Sequence, residues 1–117
     1  MNLIKLNFSK HPEAQDMIKI IEKDKCLSTT EAINFSINSE IYHRILETGW
    51  GSIALSLWGH DDPEREWEKM NNPCVEVDLE ESKLKEVNDI TKKDKIDTET
   101  AVTYFLIFTM ELLGYHI

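Results

Sequence analysis

The side chains best equipped for chemistry in this chain are four histidines, His11, His43, His60 and His116, and two cysteines, Cys26 and Cys74. Their spacing suits no common site. A zinc centre brings together three or four Cys, His or carboxylate ligands, commonly through pairs a few residues apart. His60-Asp61-Asp62 comes nearest, but three adjacent side chains point apart rather than converge. No glycine-rich phosphate loop, nucleophile elbow or zinc-protease helix occurs. Ser28 with Glu31 has the spacing of a helix capping box, which accounts for both residues without catalysis. The chain is therefore expected to be no enzyme and to need neither cofactor nor metal.

Carboxylates are what it has in abundance. Net charge is −9, from 22 Asp and Glu against 13 Lys and Arg, and most of the excess lies in the second half. One run holds Asp61, Asp62, Glu64, Glu66, Glu68, Glu76, Asp78, Glu80, Glu81 and Glu86 against Arg65, Lys69, Lys83 and Lys85. Such a field repels nucleic acid and acidic membranes and steers basic partners inward. It also serves solubility, as in many cytosolic proteins.

The 117 residues make one domain's worth of protein, and 41% hydrophobic residues suffice for a folded interior. No stretch approaches the roughly 18 apolar residues of a membrane span. The first residues, MNLIKLNFSKHPEAQD, lack the apolar segment and cleavage site of a signal peptide, so the expected location is cytoplasmic. There the two thiols are expected to be reduced, as small buried residues rather than a disulfide.

The elements that position these groups come in two sets. IKLNFSK (4–10) and VEVDLEE (75–81) both alternate apolar and polar in the same phase, the pattern of half-buried strands. A shift of about 70 residues aligns the halves in order. Ile4, Leu6 and Phe8 match Val75, Val77 and Leu79; IIEKDK (20–25) matches ITKKDK (90–95); STTEAINF (28–35) matches DTETAVTYF (97–105). In the first unit Pro12 suits a first helical turn, and Ala14, Met17, Ile18 and Ile21 form an apolar stripe. Ser28 opens a second helix, whose stripe of Ala32, Ile33, Ile37, Ile41 and Ile45 runs to the Gly49-Trp50-Gly51 break. In the second unit Ser82 and Asp97 are the expected caps, and Leu84, Val87 and Ile90 the stripe. The last helix, AVTYFLIFTMELL, is apolar on nearly every side, so Phe105, Ile107, Phe108 and Leu112 are expected to be buried, with Gly114 as its stop.

A short strand, a helix, a turn and a longer helix resemble the ribbon-helix-helix family of Arc and MetJ type, over residues 3–46 and again 74–115. The resemblance implies a mainly α fold with a two-stranded antiparallel ribbon, formed as a pseudo-dimer within one chain, as in tandem members from conjugative plasmids. The chain then divides as a single domain, 1–117: a first unit 1–48, a helical insert 49–73 and a second unit 74–117. The family reads DNA through the ribbon's outward residues and holds phosphate at the second helix start. Carried over, Lys5, Asn7 and Ser9 would face bases, and Ser28 and Thr29 would meet phosphate. The second unit departs from this: Glu76, Asp78 and Glu80 would present carboxylates to the groove, and Asp97 replaces the serine. The second strand keeps the apolar face the core needs, but its polar face no longer suits DNA.

The insert carries all three tryptophans, Trp50, Trp58 and Trp67, and Asp62-Pro63-Glu64 has the form of a cap and helix start. Trp58 suits a cover for the apolar last helix, while Trp50 and Trp67 suit either core or interface. The leading expectation is a non-catalytic acidic module that neutralises a basic, nucleic-acid-acting protein such as a nuclease or toxin. Antitoxins, immunity proteins and phage anti-defence proteins act in this manner. Its contacts would come from Asp61, Asp62, Glu64, Glu66, Glu76, Asp78, Glu80, Glu81, Trp50 and Trp67. The alternative is a transcriptional regulator that reads DNA through Lys5, Asn7 and Ser9, as a homodimer bringing two first strands together.

Overall fold

A computed structural model describes residues 3–9, 11–48 and 74–114. The chain runs β1 (Leu3–Asn7), α1 (Pro12–Lys25), α2 (Thr29–Ser36), α3 (Ser39–Thr48), β2 (Cys74–Asp78), α4 (Glu81–Asp94) and α5 (Thr98–Leu112). Among the described residues the fold is mainly helical, with one two-stranded antiparallel ribbon. Lys5 sits opposite Glu76, with Ile4 opposite Val77 and Leu6 opposite Val75. This register turns the alternating apolar side chains to one face, where Leu6, Phe8, Val77 and Leu79 are buried.

Beneath that face lies the core. Ala14, Met17, Ile18 and Ile21 of α1 and Val87 and Ile90 of α4 belong to one buried apolar cluster, and α5 lies between them, packed against α1, α2, α3 and α4. Every residue of α5 from Ala101 to Met110 is buried, so Phe105, Ile107 and Phe108 are interior as expected. Leu112 is not: at 53% exposed it lies beyond the cover that the other elements supply.

α1 and α4 are each 14 residues long and stop in the same way. Cys26 and Lys95 adopt left-handed backbone, φ 56 in both, and the amides of Leu27 and Ile96 bond back to Glu22 O and Thr91 O. That turn exposes Cys26, which is a helix stop rather than the buried apolar residue expected; Cys74 is half-buried in β2, and neither cysteine is in a disulfide. Ser82 is not a cap either. α4 begins one residue before it, with Glu80 in extended backbone at the N-cap position and no side-chain cap bond. Asp97 does cap α5, accepting from Thr100 N–H at 2.8 Å.

The long second helix expected in the first half is two helices. Ile37 leaves helical geometry (φ −88, ψ 87), and Asn38 restarts the chain as α3 by accepting Ile41 N–H on Oδ1 at 2.9 Å. The short polar side chain competes with the helical ladder for the backbone, as Asn does at caps. The Ser36 carbonyl, which an unbroken helix would have bonded to Glu40 N–H, lies 3.3 Å from Thr109 Oγ1 of α5, whose one hydroxyl proton goes chiefly to Phe105 O at 2.8 Å. The apolar stripe survives the break, since Ile33, Ile37, Ile41 and Ile45 are all buried.

Candidate interaction face

The ribbon's outward face consists of Leu3, Lys5 and Asn7 on β1 and Cys74, Glu76 and Asp78 on β2. Lys5 is exposed, and its register partner is the exposed Glu76, so the strand that carries the cation lies against the strand that carries the carboxylates. Beyond β2 the acidic run continues on either side of the buried Leu79. Glu80 precedes α4 and Glu81 opens it, both exposed, next to the partly positive helix start.

Lys5 aside, the residues that would meet DNA are bonded within their own chain. Asn7 Oδ1 accepts Ser9 N–H at 3.0 Å, which ties the Asn7 amide into the turn after β1. Ser28 Oγ accepts Glu31 N–H at 3.2 Å, and Glu31 Oε1 accepts Ser28 N–H at 3.2 Å, completing the expected capping box. Thr29 Oγ1 donates to Glu22 Oε1 at 2.9 Å. The start of α2, where a phosphate would sit, is thus lined by two carboxylates of this chain, and a phosphate there would be repelled.

Asn34, on α2, hydrogen-bonds from the first half to the second. Its Nδ2 donates to Thr30 O and to Asp78 O, both at 2.9 Å, and its Oδ1 accepts Glu80 N–H at 3.1 Å. Its own carbonyl accepts from Lys83 Nζ. Further along, α3 and α4 lie side by side in the same direction, each contact joining residues 47 apart. Ser39 Oγ donates to Glu86 Oε1 at 3.2 Å, Tyr42 Oη to Asp89 Oδ2 at 2.9 Å, and Lys93 Nζ to Leu46 O. The bond to Asp89 and burial raise the Tyr42 phenol above its ordinary pKa, helped by the charges of Asp89 and Glu86. Glu86 Oε2 is buried and has no hydrogen-bond partner among the described residues.

At the other turn a polar chain runs from Asp97 through Thr100 to His11. Thr100 Oγ1 gives its proton to Asp97 Oδ1, so its lone pair faces His11 Nε2 at 2.8 Å and the imidazole must donate there. Glu13, buried, stands 3.5 Å from His11 Nδ1. Among the described residues no three His, Cys, Asp or Glu side chains converge to hold a metal ion.

Of the residues expected to meet a partner, Glu76, Asp78, Glu80 and Glu81 fall on one continuous stretch of ribbon and helix start. Trp50, Asp61, Asp62, Glu64, Glu66 and Trp67 lie outside the described residues, as do Trp58 and His60. Sequence reasoning missed Asn34, whose neighbours suggest only a polar position on a helix, and whose partners lie 44 and 46 residues away. No helix of the described residues is long and apolar enough to cross a membrane. Comparison with protein-family models, curated proteins and solved structures returned no match.

Proposed function

We propose that this chain is a non-catalytic acidic interaction module, built on a duplicated ribbon-helix-helix plan, that captures and neutralises a basic protein which itself acts on nucleic acid. The observation that carries the reading is the exposed run of Glu76, Asp78, Glu80 and Glu81, which extends from the ribbon into the start of α4 and faces a single ribbon cation, Lys5. Carboxylates held in this order complement a groove lined by Lys and Arg. The duplicated plan is supported by the equal lengths and identical left-handed stops of α1 and α4, and by a register that places Lys5 opposite its own counterpart in the repeat, Glu76. DNA reading by the same ribbon is disfavoured, because Glu22 and Glu31 occupy the phosphate position and Asn7 is held in its turn.

The test is to replace Glu76, Asp78 and Glu80 together by Gln, Asn and Gln. With an oligoarginine peptide as probe, the parent should bind with an affinity that falls as salt rises, and the triple variant should bind more weakly. With duplex DNA the sign should reverse, the variant gaining what little affinity the parent lacks. Loss of DNA affinity in the triple variant would refute the proposal.

A further inference from the structure

We propose that Asn34 is the positioning residue of the acidic face: a side chain of the first half sets the backbone from which the second half presents its carboxylates. The inference rests on the function proposed above for that face. Asn34 uses both N–H donors and the acceptor oxygen of its amide. One N–H holds its own helix at Thr30 O, the second holds Asp78 O, and Oδ1 holds Glu80 N–H. The two outward bonds bracket Leu79, which is buried, so the link from ribbon to α4 is fixed on both sides of its anchor. Asp78 and Glu80 supply both the bonded backbone groups and two of the exposed carboxylates, so a shift of this link would re-aim both.

The backbone of α2 holds a cation beside the same turn. Lys83 sits in the first turn of α4, where the helix end disfavours positive charge. Its ammonium is bonded to the Asn34 carbonyl. The Asn34 side chain thus holds the turn, and the main-chain carbonyl of the same residue holds the Lys83 charge. The arrangement is not repeated in the other half. Thr103, which the internal repeat aligns with Asn34, donates to Glu99 O within its own helix at 2.8 Å, and the turn after β1 is held by Asn7 instead. One turn is tied by its own residue, and the acidic one is tied from across the molecule.

The discriminating variant is Asn34→Asp. It keeps the shape and an acceptor for Glu80 N–H, but replaces both donors with lone pairs facing the carbonyls of Thr30 and Asp78. It also adds a negative charge beside the acidic run. If capture depends on charge alone, Asn34→Asp binds oligoarginine more tightly. If Asn34 positions the carboxylates, binding weakens by about five- to tenfold despite the added charge, the loss expected for one or two hydrogen bonds. Exchange of the Glu80 amide should accelerate in Asn34→Ala, which removes the acceptor of that N–H, at a temperature where parent and variant are equally folded. Tighter binding, or unchanged Glu80 exchange, would overturn the proposal. A second measurement needs no variant: in the parent, Glu80 N–H lies in an exposed turn yet should be protected from exchange, and free exchange there would overturn it equally. A parent that shows this protection but does not bind oligoarginine would remove the proposed function and with it this role at the acidic face, leaving only a bond within the fold.

Discussion

The left-handed stops of α1 and α4 yield a prediction whose size follows from the backbone. Cys26 and Lys95 each carry a β-carbon at φ 56, which costs a non-glycine residue about 1–2 kcal/mol. Replacing either by glycine removes that cost but returns about 0.5–1 kcal/mol to the unfolded chain, which gains conformational freedom. Each of Cys26→Gly and Lys95→Gly should therefore stabilise the fold by about 0.5–1 kcal/mol. For a chain of 117 residues this corresponds to an increase in Tm of about 2–4 °C. The two caps share no hydrogen-bond partner, one amide bonding Glu22 O and the other Thr91 O, so the double variant should show nearly the sum. Thermal and urea unfolding measure it, with an unchanged urea slope showing that only stability has moved. A loss of stability in either variant would refute the reasoning, because the side chain would then contribute more than its backbone conformation costs.

Other perturbations separate core, seam and surface. Phe105→Ala should cost about 3–5 kcal/mol, since Phe105 is wholly buried in α5, whereas Leu112→Ala, on an exposed residue, should cost well under 1 kcal/mol; urea unfolding distinguishes them. Glu86→Gln should raise stability by up to about 1 kcal/mol, because it removes the charge of a half-buried carboxylate while keeping an acceptor for Ser39 Oγ; a decrease would mean that the charge meets a cation. The Tyr42 phenol has its pKa raised in the folded protein by its bond to Asp89 and by burial, so its contribution is fully present below about pH 10 and is lost as pH rises beyond that. Tyr42→Phe should make the alkaline decline in stability shallower, leaving the share due to Tyr104, whose phenol is raised by burial; an unchanged decline in a pH series of urea melts would contradict this.

The ribbon, its inward face and the buried last helix are legible in the sequence because each rests on periodicity, which depends only on local chain geometry. Period two places Leu6, Phe8, Val77 and Leu79 on one face, and the all-round apolar stretch from Ala101 to Met110 has no face to offer water. What escapes periodicity is decided by single polar residues. The Ile33, Ile37, Ile41 and Ile45 stripe implies one helix, but Asn38 breaks it without disturbing the stripe; the Asn38-Ser39-Glu40 cluster is the signal that marks a new helix start. Cys26 looks like a buried residue by type, and only its place after a lysine-rich helix end identifies a stop. Leu112 is apolar by type, but its exposure depends on where the surrounding elements end. Within the candidate site, the acidic run is visible as composition, whereas the bonds of Asn34 depend on tertiary approach that no local pattern encodes.

The most direct test of the acidic ribbon is selection of binding sites from randomised duplex DNA by the unmodified protein near physiological salt. Lys5 faces Glu76, and Glu22 and Glu31 line the place where phosphate would dock, so the ribbon lacks the several cationic contacts that specific complexes use. The account predicts no enriched sequence and no binding tighter than about micromolar, where ordinary specific complexes are far tighter. A defined sequence recovered and bound at nanomolar affinity would contradict it, and would establish the ribbon as a DNA reader.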